Sequence, residues 1–523
     1  MNSFSRYFFL SKVELKAFIS IFFITLVAMS SLLLANGLYS DDFTRVISGE
    51  PLWNANGRPL STFISVALQF GKPLTNISPL PQLFAFTLYS LSAIYLGRLF
   101  KVNDLLLLTL SGVIFVINPL NLQNLVFIFD SFPMAVSVFT STLAAYLISF
   151  FIGNNIKIKE KIFIFFSSFF LLICSLCLYQ SSISIYLVIF TFYALVRLLD
   201  GQLARSFCII SASIIVLLFA SIAYIPIKNF YIDGEYTLYH SKTIPLSDFP
   251  QKIFDNLLFF WENVKSLLGQ NTLSYFIYSL SFLAIVAVIY NIFILLKKAS
   301  IEKHQITIIL ILIIFYLVFL IAAPPGLMLI LENPIFAPRT MIGFSGLIAI
   351  FCLFVSNQVL SKKGTIKTYL QYCLIGLFCL VSLIFSNVSL TLGNAVNAQN
   401  VQEEMIITIM MSDLGEIIPK LPITQQPPTL VLVNSINYNY ANLQAYQKYP
   451  IINSIIWRYL SSNQYQFYTK LKTLGFDFTP ANAQDTIAKE NQQFNPKTKP
   501  LLVRGLYNIY FEDNNWLVVA FKK

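Results

Sequence analysis

Apolar stretches of about 17 to 25 residues recur along this chain between Phe18 and Leu390, each long enough to cross a hydrocarbon core roughly 30 Å thick as a helix. Strands of a membrane barrel would be about 10 residues long and would alternate in polarity. These runs do neither. Lipid supplies no partner for a free N–H or C=O, so a continuous apolar segment of this length resolves itself as an α-helix. Charged residues make up 11% of the chain and hydrophobic residues 56%, against about 25% charged in soluble domains. A water-soluble fold is excluded.

The runs predict about eleven spans, starting near residues 18, 80, 104, 132, 162, 183, 206, 275, 306, 340 and 369. Those at 105–117 and 183–196 are the shortest. The first run follows Arg6, Lys12 and Lys16, as a secretory signal would, but it is long for a signal core and no small-residue cleavage site follows, so it reads as a retained span.

The formal net charge of +11 is distributed between spans rather than gathered into a nucleic-acid-binding patch. With the N-terminus inside, the inner segments carry 16 basic residues: Arg6, Lys12, Lys16; Arg98, Lys101; Lys157, Lys159, Lys161; Arg197, Arg205; Lys297, Lys298, Lys303; Lys362, Lys363, Lys367. The longer outer loops carry eight: Arg45, Arg58, Lys72, Lys228, Lys242, Lys252, Lys265 and Arg339. The positive-inside rule therefore sets the N-terminus in the cytoplasm, and an odd number of spans sets the C-terminus outside. The six cysteines lie in apolar stretches, where Cys174 and Cys177 read as packing residues rather than a redox or metal pair.

Composition divides the chain into a membrane part, residues 1–391, and a polar C-terminal α+β extracytoplasmic domain, residues 392–523. In the latter, Val401 to Lys420 reads as an amphipathic helix, Thr429 to Val433 as a buried strand, and Leu501 to Ala520 as two strands about the turn Glu512-Asp513-Asn514-Asn515. In the first outer loop, Thr62 to Gly71 has an apolar face and few charges, as a helix lying in the interface would.

The densest polar cluster follows the first span: Tyr39-Ser40-Asp41-Asp42-Phe43-Thr44-Arg45, then Gly49, Trp53 and Asn56-Gly57-Arg58-Pro59-Leu60. Adjacent carboxylates at a membrane boundary raise one another's pKa when they pack together, which is how a carboxylate becomes a base near neutral pH. Asp41-Asp42 with Arg45, Gly49, Trp53 and Gly57-Arg58-Pro59-Leu60 resembles the serotype-converting membrane glucosyltransferases, as do Asp130-Ser131-Phe132-Pro133-Met134, Tyr179-Gln180-Ser181 and Pro338-Arg339.

That resemblance implies an all-α polytopic enzyme of GT-C type in the bacterial inner membrane. It glucosylates O-antigen or another surface glycan, such as that of lipopolysaccharide, from a polyprenyl-phosphate sugar, with an acidic residue of the first outer loop as general base. The implied partners are that donor, the glycan acceptor, membrane lipids, and a donor-synthesising glycosyltransferase and flippase upstream; nucleic acid is not among them. Asp42 is slightly preferred over Asp41 as base. Arg58 and Arg339 suit the departing phosphate, since guanidinium groups grip phosphate bidentately; Arg45, three residues past Asp42, suits a pair with that aspartate. Tyr179 and Gln180 would bond sugar hydroxyls or pack a helix end. Asp130 would cap the fourth span as well as line the site, Trp53 would stack on a sugar or sit in the interfacial belt, and Glu332 is a second candidate acid. His240 and His304 fall on opposite predicted faces, which disfavours a histidine metal site. Magnesium or manganese between Asp41 and Asp42 stays open, because carboxylate oxygens suit hard cations. The rival reading is a transporter or flippase of lipid-linked sugars, for which mid-membrane charges and paired repeats are expected; neither is visible.

Overall fold

The computed structural model describes residues 9–149, 157–297, 303–421, 428–461, 466–478, 498–512 and 515–522. Arg6, Lys298, the turn residues Asp513 and Asn514, and the side chain of His304 lie outside the described residues.

Each expected run forms a helix. Among the described residues, eight are long and apolar enough to cross a membrane: Leu80–Leu99, Ser131–Ile148, Ile158–Leu178, Gln180–Leu199, Leu203–Tyr231, Thr272–Leu296, Ile342–Leu360 and Gly364–Lys420. A ninth arises if Leu105–Val116 and Pro119–Val126, bent by 47° at the intervening break, are one span. Two runs give shorter helices: the first is interrupted at Met29 between Lys12–Ala28 and Ser30–Ala35, and Ile306–Ala322 covers the other. Gln180–Leu199 is 94% buried and Thr272–Leu296 is 22% buried, so the former is the bundle's axis and the latter its periphery.

The bend has a local cause. Pro119 lacks an N–H and disfavours helical geometry in the residue before it. The Asn118 side chain accepts from the Leu120 N–H at 3.1 Å, starting the second piece, while Asn121 Nδ2 donates to the Val116 carbonyl at 3.1 Å, finishing the first. The break thereby turns Gln123 toward the outer loops.

The C-terminal sheet has the order β1-β4-β3-β2, with β1 Thr429–Val433, β2 Leu502–Val503, β3 Tyr507–Glu512 and β4 Trp516–Phe521. Strand β1 runs parallel to β4, and the other pairs are antiparallel. Strand β2 joins the two expected in that region. Leu430, Leu432, Ile509, Leu517 and Val519 pack against Ile406, Ile407 and Met410 in one apolar core.

Ile406 to Met410 belong to a single helix, Gly364–Ile417, of 54 residues. The expected division at 391/392 falls inside it. The polarity changes there because the helix leaves the bundle, but a helix satisfies its own backbone in either medium and needs no linker. Gly393 is a notch rather than a stop: a Cβ there would meet the Leu32 backbone nitrogen at 2.3 Å. Tyr449, Ile451, Ile452, Ile455 and Ile456, all from the tail, pack into the same core cluster as the membrane helices.

Candidate active site

The loop after the first helices builds the site in two layers. Beneath lies a buried charge cluster. Asp42 opens the helix Asp42–Ser48 and is fully buried. Its Oδ2 accepts from the N–H of Tyr39 at 3.2 Å and of Ile128 at 2.9 Å, and its Oδ1 from the N–H of Phe129 at 3.2 Å. Burial pushes its carboxyl up to about 7, assisted by the Asp130 charge and opposed by Arg45 and the Ile128 and Phe129 N–H groups.

Arg45 lies 3.9 Å from Asp42 but 2.5 Å from Asp130. Its principal partner is therefore Asp130 and not the neighbour suggested by spacing. Its Nε also donates to the Pro51 carbonyl at 3.2 Å, and its guanidinium lies 4.3 Å from the Trp53 ring centre. The Trp53 indole donates to Asp130 at 2.6 Å. Asp130 occupies the N-cap position of Ser131–Ile148 without a side-chain cap bond, because its oxygens serve Arg45 and Trp53 instead. At 1% exposure, Trp53 has no free face for a sugar; stacking is corrected to a packing and hydrogen-bonding role.

Above this layer is a partly exposed one. Asp41 is half-buried, accepts from the Ser40 hydroxyl at 3.4 Å, and lies within electrostatic reach of Arg339. The Arg339 guanidinium faces the Phe127 ring at 5.8 Å and finds no hydrogen-bond acceptor among the described residues. Its backbone is pinned on both sides: the N–H donates to Gln123 Oε1 at 2.9 Å, and the carbonyl accepts from the Tyr179 hydroxyl at 2.8 Å. Arg58 lies against Tyr179, with its guanidinium 4.7 Å from the Tyr179 ring centre and its Nε donating to Gln180 at 3.2 Å. Tyr179 thus links two cations. Gln180 also donates to the Tyr224 hydroxyl at 2.7 Å, and Tyr224 to the Gly57 carbonyl at 2.8 Å. Gly57, at φ 69°, leaves the room that Tyr224 fills: a Cβ would lie 2.9 Å from its hydroxyl.

Glu332 stands apart, paired with Lys242 at 2.7 Å. Three backbone N–H groups occupy the Asp42 oxygens, which leaves little of that carboxylate for a cation shared with Asp41. Among the described residues no group of three or more His, Cys, Asp or Glu is placed to hold a metal. Sequence reasoning missed Gln123, which also donates to the Tyr39 hydroxyl at 3.0 Å. Its signal was the cluster of amides Asn118, Asn121, Gln123 and Asn124 within an apolar run, since buried polar groups in a membrane mark function. A half-buried carboxylate within electrostatic reach of a guanidinium is an arrangement that can deprotonate a hydroxyl opposite an anionic leaving group.

The family model described as Glucosyl transferase GtrII matches residues 30–350. An uncharacterised 55.3 kDa protein in the gtrB 5′ region of Salmonella phage P22 is 27% identical over 405 residues, covering 76% of this chain and 79% of the relative. No solved structure matches the chain.

Proposed function

The chain belongs to the GtrII glucosyl transferase family, and from that premise we propose that it moves glucose from a polyprenyl-phosphate donor to a cell-surface polysaccharide such as O-antigen, at the periplasmic face of the inner membrane. In this reading all eleven apolar runs cross the bilayer in a GT-C arrangement, with the C-terminal domain outside; the asymmetry of basic residues supports that orientation. The donor keeps its tail in lipid and its phosphate at the interface. Asp41 takes the proton of the acceptor hydroxyl as that oxygen bonds to the anomeric carbon. The bond from that carbon to the phosphate oxygen breaks, and the phosphate leaves with the electron pair. Arg339 and Arg58 stabilise the negative charge that develops there.

The observation that carries the reading is the half-buried Asp41 carboxylate within electrostatic reach of the Arg339 guanidinium. It shifts the preference from Asp42 to Asp41: Asp42 is fully buried and bonded by three N–H groups, so an acceptor hydroxyl cannot reach it, and it orients the loop instead. Gln180 and Tyr179 hold Arg58 and Arg339 in place.

The test is transfer in proteoliposomes given lipopolysaccharide and either radiolabelled polyprenyl-phosphate glucose or a labelled nucleotide sugar. Label should reach the polysaccharide from the lipid-linked donor alone. Transfer from the nucleotide sugar alone would overturn the donor class, and movement of lipid-linked sugar across the vesicle without transfer would replace the enzyme by a flippase.

A further inference from the structure

The loop bearing Asp41 is held by residues that lie more than 400 positions later in the chain. Ser40 adopts φ 53°, a left-handed conformation disfavoured for any residue with a Cβ. Its N–H donates to the Tyr459 hydroxyl at 2.8 Å, and the adjacent Tyr39 hydroxyl donates to the Ile455 carbonyl at 2.7 Å. Tyr459 is itself fixed from behind. Its N–H donates to Glu403 at 2.9 Å, and Glu403 pairs with Lys470 at 2.9 Å, both side chains being at most 2% exposed. The Lys470 ammonium lies 5.1 Å from the Tyr459 ring centre and 5.8 Å from that of Phe43, and the Phe43 and Tyr459 rings meet edge to face at 4.9 Å.

A buried ion pair is a poor adhesive, because desolvation offsets much of its attraction; its better-attested use is to fix one arrangement among several. Here the arrangement fixed is that of the two residues before Asp41. We propose that the C-terminal domain is part of the catalytic apparatus, with Tyr459 as the positioning residue that holds Ser40 left-handed and so aims the Asp41 carboxylate, and with Glu403–Lys470 holding Tyr459. The matched family region ends at residue 350 and includes none of Glu403, Tyr459 and Lys470. The proposal rests on Asp41 being the base.

The experiment compares the full-length wild type, Asp41→Asn, Tyr459→Phe and the double variant Tyr459→Phe/Ser40→Gly in the transfer assay. Tyr459→Phe deletes one hydrogen bond and should lower kcat about tenfold with an unchanged KM for the lipid-linked donor. Ser40→Gly in that background should restore most of the rate, because glycine holds positive φ without the tyrosine. Should Asp41→Asn transfer at the wild-type rate, the reading of the base fails. With Asp41→Asn inactive, the positioning role is overturned if Tyr459→Phe keeps full kcat, if its loss comes with a rise in donor KM, or if Ser40→Gly does not restore it.

Discussion

Asp41 and Asp42 are neighbours with different environments, and the difference decides their work. Asp42 carries a carboxyl raised to about 7 by burial, against about 3.9 in an unfolded chain. The folded protein thus holds a proton that the unfolded one releases, so this group's contribution to stability is complete below about pH 4 and is lost as pH rises through 7. The thermal midpoint should fall between pH 5 and 8 in the wild type and fall less in Asp42→Asn; parallel curves would contradict the buried, proton-holding Asp42. Arg45→Ala leaves Asp130 buried without its cation and should cost about 3–5 kcal/mol, measured as lost thermal stability. Arg45→Lys should recover only part, because an ammonium cannot serve Asp130, the Pro51 carbonyl and the Trp53 face together. Sequence alone made the loop visible through its crowding of charge, but it paired Arg45 by spacing. The true partner, Asp130, lies 85 positions away, and no local pattern encodes that distance.

Among the elements, the long apolar helices were legible because length and apolarity alone define them. Breaks and boundaries were less so. The run at 105–117 reads as one short span, yet the structure adds a second helical piece beyond the Asn118-Pro119 break, and that piece delivers Gln123 to the Arg339 backbone. Gln123→Leu removes both the acceptor for that N–H and the donor to Tyr39. It should destabilise the site by about 1–3 kcal/mol and lower transfer, read by thermal melting alongside the rate. The composition shift at residue 391, read as a domain border, falls within the continuous helix Gly364–Ile417. Helix propensity does not register which solvent surrounds a helix, and Gly393 serves close packing. Gly393→Ala should press on the Leu32 backbone and lower stability by about 1–3 kcal/mol, seen as a reduced melting temperature.

As a whole molecule, the protein is a helix bundle whose C-terminal part is continuous with it through Gly364–Ile417 and shares its apolar core through Ile451, Ile452 and Ile455. The apolar helices and the C-terminal sheet followed from composition and periodicity, whereas the docking of the tail onto the first loop did not. Contacts such as Ser40 to Tyr459, 419 residues apart, arise from packing and leave no periodic trace. An outer-domain role requires the C-terminus to lie outside, so a tag after Lys523 should be labelled by a membrane-impermeant reagent in intact spheroplasts. The central claim is that Asp41 is the reacting carboxylate, and single-turnover transfer from polyprenyl-phosphate glucose by Asp41→Asn tests it most directly. The rate should fall by about 10²–10⁴-fold with donor binding intact, and a wild-type rate would rule out Asp41 as the base.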